Sequence, residues 1–278
     1  LIPLASARSA GKTVTFRGEE ITIREAGENA FEGVDIVLGA AENDVAQALA
    51  PAIVKAGAVF VDNSSAFRMD PNVPLVVPEV NPEDVKKHKG IISNPNCSTI
   101  ITLTAVNPLN QFGPIRTMVA STYQAVYGAG AGGPVELQQE VEALSRGEKA
   151  EPKVFPYQIA YNLIPQIGGG QTPGYTHAEK KMEKEGRKNT PPPGLLGNCT
   201  CVRVPVVRSH SISVTCHFDH PVTVEQAREA IAAAPGCKLM DDLANKVYPM
   251  PLDTSHQDTV FVGRIRPDLT DPNGITLW

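Results

Sequence analysis

Residues 34–62 hold the pattern that most constrains the fold of this chain. The run VDIVLGAA (34–41) is apolar enough for a buried strand, and ENDVAQALAPAIVKAG (42–57) repeats apolar residues at helical spacing. A second short apolar run, AVFVD (58–62), follows Gly57, which is typical of a helix end. A strand, a helix and a strand joined by short links predict parallel strands in a doubly wound, Rossmann-like α/β sheet.

Two polar segments follow strands of this predicted sheet directly. DNSSAFRM (62–69) comes after the strand at 58–62, and SNPNCSTI (93–100) comes after a further apolar run at 90–94. Ligands of open α/β sheets bind beyond the carboxyl ends of the strands. We therefore expect a functional site that includes both segments.

The pattern changes after residue 97. IRTMVASTYQAV (115–126) is long enough for one extended strand, and CTCVRVPVVRSHSISVTCHF (199–218) alternates as an antiparallel strand pair would. A chain of 278 residues can form two separate cores. We predict a dinucleotide-binding domain over residues 1–97 and an α+β domain with a mixed sheet over residues 98–278.

Composition excludes several classes of function. The formal net charge is −5 and no basic run is present, which argues against a nucleic-acid partner. No apolar run is long enough to span a bilayer, so no membrane association is predicted. The five cysteines are odd in number and lack the spacing of a disulfide framework, which favours a reduced, cytoplasmic location.

Cys97 is the first candidate for chemistry. Only a few per cent of a free thiol is thiolate at neutral pH, so a catalytic cysteine needs a helix N-terminus, a base or both. A helix is predicted to begin at Cys97, Pro95 restricts the backbone before it, and Ser98 and Thr99 could cap it. The alternative is a small buried hydrophobic residue.

His210 is the candidate base. On a strand it shares a face with Ile212, Val214 and other apolar residues, so that face points inward. A histidine at the start of such a strand, with serines on both sides, lies at the edge of a core. Its ordinary pKa, about 6.5, suits a general base beside a thiol. The alternative is a core histidine with no catalytic role.

Two arginines are candidates for anion binding. Arg203 shares a strand face with Cys199 and Cys201, and an inward arginine requires a carboxylate or a phosphate. Arg68 lies in the loop that follows the strand at 58–62. For either residue alone, a surface salt bridge is the alternative.

Two further stretches suggest binding. Gln124 precedes the glycine-dense GAGAGG (128–133), which would let the backbone approach a ligand closely or form only a flexible hairpin. Arg8, between serines after the opening apolar run, is suited to a 2′-phosphate at the position where NAD-binding folds place an acid. No metal site is predicted, because the cysteines and histidines lack metal-ligand spacing.

Six motifs in this order resemble the aspartate-β-semialdehyde dehydrogenases: ASARSAG, NSSAFRM, SNPNCSTI, STYQAVYGAG, CVRVPVVRSHSISV and VGRIRPD. The resemblance extends from residue 5 to residue 268. It implies NADP-dependent, reversible reductive dephosphorylation of L-aspartyl-4-phosphate, in the biosynthesis of lysine, methionine, threonine and diaminopimelate. It also implies a homodimer or a dimer of dimers.

The resemblance assigns a role to each candidate residue. The implied catalytic residues are Cys97 as nucleophile, His210 as acid and base, and Gln124 to orient the intermediate. The implied substrate-binding residues are Arg203 for the α-carboxylate, with Arg68, Asn96 and Lys181 for the phosphate. The implied cofactor-binding residues are Arg8 and Ser9 at the 2′-phosphate of NADP, with Tyr127 and Gly128 at the nicotinamide half.

The chain departs from the family pattern at several points. Tyr127 stands where serine is usual, and Ala178 stands where an acid is usual, with Glu179 beside it. The first βα unit and the closing helix of the family are expected to lie outside residues 1–278. Alternatives are a reductase of N-acetylglutamyl phosphate or malonyl-CoA on the same scaffold, or a non-catalytic fragment of this fold.

Overall fold

A computed structural model describes residues 1–190 and 195–278. The chain divides into two compact units, one of residues 1–76 and 83–95, the other of residues 77–82 and 96–278. The strands and helix of the first unit are Leu4–Ala5 (β1), Thr13–Phe16 (β2), Glu19–Thr22 (β3), Arg24–Glu25 (β4), Ile36–Gly39 (β5), Asn43–Lys55 (α1), Val59–Asp62 (β6) and Ile91–Ser93 (β7).

The first unit contains the parallel sheet that residues 34–62 predicted. Its strand order is β5-β6-β7, and both pairings are parallel. On α1, Ala46, Ala50 and Ile53 are buried at helical spacing and pack with Phe31 and Phe60 in one apolar cluster. β1 and β4 form a separate parallel pair, and β2 and β3 form a hairpin.

The second unit has five helices and nine strands among its described residues. They are Cys97–Val106 (α2), Thr117–Gln124 (β8), Gly132–Ser145 (α3), Gly170–Gln171 (β9), Tyr175–Thr176 (β10), His177–Asn189 (α4), Leu196–Arg203 (β11), Ser211–His217 (β12), Val224–Ala233 (α5), Cys237–Leu239 (β13), Pro251–Thr254 (α6), Val260–Val262 (β14), Arg266–Pro267 (β15) and Gly274–Leu277 (β16). Short 3₁₀ helices cover Pro82–Lys87, Asn107–Phe112 and Val126–Ala129.

The largest sheet is mixed, as predicted, with the order β11-β8-β12-β16-β15. β11 runs parallel to β8, and β12 runs antiparallel to it. The inward residues of β8 and β12 alternate with outward ones, and Met118, Ala120, Ile212 and Val214 lie in the core. Each strand therefore has one face toward the core.

The prediction that residues 199–218 form an antiparallel strand pair is wrong. Both segments are strands, but β8 lies between them and pairs with each. The link that follows β11 is bonded to the residues after β8, since Val126 and Tyr127 donate N–H bonds to the carbonyls of Val206 and Val207. This link brings the end of β11 and the start of β12 to the same end of β8.

Within residues 1–190 and 195–278, none of the helices combines the length and the apolar character needed to cross a bilayer.

Candidate active site

Cys97 is the first residue of α2, as the sequence predicted, and it is solvent-exposed. The cap is Asn96, whose side-chain oxygen accepts the N–H of Ser98 at 3.0 Å. Ser98 and Thr99, which were expected to cap, are instead buried inside the first turn. A thiol at this position meets the positive end of the helix dipole, which favours the thiolate.

Glu185 holds the turn that carries Cys97, and sequence reasoning missed it. Its carboxylate, in a residue only 1% exposed, accepts the backbone N–H of Asn96 at 2.6 Å. Ala178, Met182, Glu185 and Asn189 form one buried face of α4. Their helical spacing was the available signal, but the many charged residues of this segment are typical of a solvent-exposed helix.

Three predicted residues meet at one end of the large sheet. Arg203, the last residue of β11, is paired in register with Gln124, the last residue of β8. β12 begins beside them, because Ser211 pairs with Tyr123 and His210 comes immediately before. The strand register therefore places Gln124, Arg203 and His210 together.

Arg203 is buried, at 6% exposure, but its partner is not the expected anion. Nη1 donates to the carbonyl oxygen of Ala125 at 2.7 Å, and the guanidinium carbon lies 5.8 Å from the centroid of the Phe155 ring. No ion pair among the described residues includes Arg203. Burial lowers its pKa, while the charge of Cys97 acts in the opposite sense. A buried guanidinium with one carbonyl partner retains donors for an anionic ligand.

The ring of His210 is fixed by the backbone. Its Nδ1 accepts the N–H of Ala125 at 2.9 Å, and its other edge faces Gly128. Burial, followed by the charge of Arg203, lowers the pKa of His210 to about 4. The charge of Cys97 raises the pKa of Arg203, and the charge of Arg203 lowers the pKa of His210. These three residues therefore interact electrostatically and form one electrostatic group.

Gly128 lies where these side chains converge. A Cβ at Gly128 would be 2.9 Å from Nη1 of Arg203 and 3.0 Å from Nε2 of His210. Gly128 is exposed, as is Tyr127, whose ring carries the guanidinium of Arg208 at 3.7 Å from its centroid. Only glycine therefore fits at position 128 without displacing Arg203 or His210.

We expect Gly128→Ala to lower kcat/KM by about 10- to 100-fold, because the new methyl group must displace Arg203, His210 or both. The measurement is steady-state kinetics with a thermal melt of each variant. Gly130→Ala is the matched control: it introduces strain at a φ of +90°, but its Cβ would meet nothing within 4 Å. A Gly128→Ala enzyme with unchanged kinetics would contradict this geometry.

The remaining predicted residues are distributed over both units. In the second unit, Lys181 is partly buried on α4, while the neighbouring Lys180 is engaged by Glu183 and faces the ring of Tyr175. Both carboxylate oxygens of Glu179 already accept backbone hydrogen bonds, one from the N–H of Thr176 and the other from the N–H of Cys201.

In the first unit, Arg68 is buried after β6 and donates to the carbonyl of Asn63 at 2.8 Å. Arg8 is exposed and Ser9 partly buried in the turn that follows β1. The proposed roles of Arg68, Arg8 and Ser9 stay predictions.

Comparison with known proteins decides the family. Residues 106–278 match the family described as "Semialdehyde dehydrogenase, dimerisation domain", and residues 1–88 match "Semialdehyde dehydrogenase, NAD binding domain". Aspartate-semialdehyde dehydrogenase of Bacillus subtilis is 48% identical over 283 residues, a match that covers 99% of this chain and 82% of that protein. The chain belongs to the aspartate-semialdehyde dehydrogenase family.

Other members of the family agree. The enzyme of Synechocystis is 47% identical over 275 residues, covering 99% of this chain and 81% of the other. A crystal structure of aspartate semialdehyde dehydrogenase II complexed with ASA, from Vibrio cholerae, is similar to this chain with a TM-score of 0.96 at 38% identity. That match covers 100% of this chain and 82% of the Vibrio chain.

Family membership confirms several predictions made from the sequence. The α/β class, with a Rossmann-like NAD-binding domain and a second domain built on a mixed sheet, is confirmed. So are the classification as an oxidoreductase of amino-acid biosynthesis and the use of a nicotinamide dinucleotide.

Proposed function

We propose that this chain catalyses the NADP-dependent, reversible reductive dephosphorylation of L-aspartyl-4-phosphate to L-aspartate-4-semialdehyde. The observation that carries the proposal is the exposed Cys97 at the N-terminus of α2, in one electrostatic group with Arg203 and His210. The product serves the biosynthesis of lysine, methionine, threonine and diaminopimelate.

Cys97 is the nucleophile that forms the thioester with the substrate. A covalent route suits this reaction because it holds the acyl group in one place while it is reduced. Phosphate leaves when the sulfur attacks the acyl phosphate, and the aldehyde leaves when the carbon–sulfur bond breaks. Gln124, which is 3% exposed and accepts a hydrogen bond from the hydroxyl of Thr122, is proposed to orient the bound acyl group.

Arg203 binds the α-carboxylate of the substrate through the donors that Ala125 does not use. Asn96 and Lys181 bind the phosphate, and for Arg68, in the first unit, the same role stays a prediction from the sequence. Lys181 is favoured over Lys180 for this role, because Lys180 is already engaged by Glu183 and Tyr175. His210 acts on the substrate oxygen.

NADP is the proposed dinucleotide, which supplies or accepts the hydride when it is bound. Arg8, exposed in the turn after β1, and Ser9 beside it suit the 2′-phosphate. Tyr127 and Gly128 suit the nicotinamide half, because both are exposed and Gly128 lies against His210.

The chain is proposed to act as a homodimer, or a dimer of dimers, in the cytoplasm. The outward face of β8 supports association, because Val119 and Tyr123 are 50% and 37% exposed there. The match of residues 106–278 to a dimerisation domain supports it as well. All five cysteines are free thiols, which suits a reduced compartment.

Turnover of three aldehydes in the oxidative direction tests the proposed reaction. With NADP⁺ and phosphate, we expect aspartate semialdehyde to be preferred by about 10²-fold or more over malonate semialdehyde, which places its carboxylate one carbon nearer the aldehyde than Arg203 requires. Succinate semialdehyde lacks only the α-ammonium and measures what that group contributes. Equal turnover of malonate semialdehyde, or none of aspartate semialdehyde, would refute the proposal.

A further inference from the structure

Glu136 is a buried carboxylate on α3 that the proposed reaction does not use. The residue is 5% exposed. Its Oε2 accepts the backbone N–H of Lys153 at 2.7 Å and that of Val154, and its Oε1 accepts the N–H of Phe155 at 3.0 Å. Both carboxylate oxygens are therefore occupied, and one side chain fixes the backbone of three consecutive residues.

The segment that Glu136 holds contacts Arg203 in two places. The ring of Phe155, in a residue that is 8% exposed, has its centroid 5.8 Å from the guanidinium carbon. Further along the same segment, the N–H of Ile164 donates to the carbonyl of Arg203 at 3.0 Å, and the N–H of Arg203 donates to the carbonyl of Ile164 at 2.9 Å. Residues 153–164, named here the anchoring segment, therefore contact both the side chain and the main chain of Arg203.

The ring of Phe155 suits an arginine that must remain able to bind an anion. Arg203 is 6% exposed, and no carboxylate of the described residues forms an ion pair with it. The face of an aromatic ring carries a negative potential that attracts a guanidinium. Unlike a carboxylate, the ring compensates the positive charge without accepting the N–H donors, so those donors stay available for a ligand.

We propose that Glu136 is a positioning residue for substrate binding. It holds residues 153–155 so that the Phe155 ring lies over the guanidinium of Arg203 and limits the directions in which the remaining N–H groups point. The inference rests on the proposed function, in which Arg203 binds the α-carboxylate. Glu136 acts only through Phe155 and Arg203.

Glu140 offers a matched control one turn further along α3. It is 2% exposed, and its Oε2 alone accepts the N–H groups of Ile159 and Ala160, each at 2.8 Å. Its Oε1 is buried without a partner among the described residues. In Glu140→Gln, the amide oxygen can replace Oε2 and keep both bonds. In Glu136→Gln, the amide NH₂ must face a backbone N–H, because both oxygens are in use.

Steady-state kinetics of the two variants test the proposal. We expect Glu136→Gln to raise the KM for aspartate semialdehyde by about tenfold, with kcat and the KM for phosphate within about threefold of the wild type. Glu140→Gln should leave all three constants within about threefold. An unchanged KM in a folded Glu136→Gln enzyme would overturn the proposal. An equal rise in both variants would also overturn it, because the shared change is the loss of one buried charge.

Phe155→Leu tests the same role without altering Glu136. The backbone N–H that Oε1 accepts remains, while the ring over the guanidinium is lost. We expect the same rise of about tenfold in the KM for aspartate semialdehyde, and little further rise when Glu136→Gln is added, because both changes act on Arg203. An unchanged KM in Phe155→Leu would overturn the proposal even if Glu136→Gln failed to fold.

The position of Arg203 can also be observed without turnover. Phenylglyoxal modifies arginine side chains, and mass spectrometry of the digested full chain measures its rate of reaction at Arg203. We expect this rate to rise about fivefold or more in Glu136→Gln and to stay at the wild-type value in Glu140→Gln, because only the first variant frees the anchoring segment. Equal rates in all three proteins would overturn the positioning role. A rise in Glu136→Gln alone, in a chain whose wild type does not turn over aspartate semialdehyde, would refute the proposed function and not the positioning role.

Discussion

Cys97→Ser is expected to lower turnover by about 10⁴-fold or more while the chain stays folded. The hydroxyl of serine has a far higher pKa than a thiol, so the N-terminus of α2 cannot ionise it to a useful extent at neutral pH. The side chain is exposed, so the exchange of sulfur for oxygen removes no core packing. Single-turnover kinetics with aspartate semialdehyde and NADP⁺ measure the loss, and circular dichroism checks the fold.

Cys237→Ser is the matched control for this experiment. Cys237 is the only other cysteine that is not fully buried, and its thiol donates to the carbonyl of Thr104 at 3.3 Å, a contact that serine can keep. Burial raises the pKa of Cys237 to about 11, so it is a poor nucleophile. We expect this variant to retain nearly full activity. A Cys97→Ser enzyme that matched it would exclude the thioester route.

Arg203→Ala is expected to lower kcat/KM by about 10³–10⁴-fold, because it removes the buried guanidinium proposed to bind the α-carboxylate. Arg203→Lys keeps the charge but loses the planar fork, so we expect a smaller loss of about 10²-fold that appears chiefly in KM. The difference between the two variants measures what two-pronged binding contributes. Steady-state kinetics over a range of aspartate semialdehyde concentrations give both values.

The control for Arg203 is an arginine of the same unit that lies on the surface. Arg116 forms an exposed ion pair with Asp219, and Arg116→Ala should change kcat/KM by less than about threefold. A thermal melt of Arg203→Ala is needed as well, since the carbonyl of Ala125 loses its buried partner. An Arg203→Lys enzyme with an unchanged KM would show that Arg203 does not bind the carboxylate.

The elements of this fold were largely predictable, because their periodicity is local. The strands at residues 36–39 and 59–62, and the helix between them, follow from apolar spacing alone. The place of β8 between β11 and β12 was not predictable in the same way. The order of strands depends on pairing between distant parts of the chain. Two alternating segments that are adjacent in the sequence are predicted to pair with each other, unless the link between them is known to cross a third strand.

The candidate site was likewise only partly predictable from the sequence. Cys97, Arg203 and His210 were visible because each has reactive chemistry at a strand end or a helix start. Glu185 was hidden because a single buried carboxylate on a highly charged helix looks like its solvated neighbours until the buried face is known. Ala125 has no side-chain chemistry at all, so its contacts could be seen only in three dimensions.

The peptide group of Ala125, which is hydrogen-bonded to both His210 and Arg203, also affects which substitutions this site can accept during evolution. Any residue at position 125 except proline would still offer one amide hydrogen and one carbonyl oxygen. A substitution of the side chain therefore leaves the hydrogen bond to the imidazole of His210 in place. Proline is the exception, because it lacks the hydrogen. Relatives could therefore differ at this position, among side chains small enough for a buried site, and still keep the same hydrogen bonds to the ring. Sequence conservation alone would not reveal the peptide group that makes them.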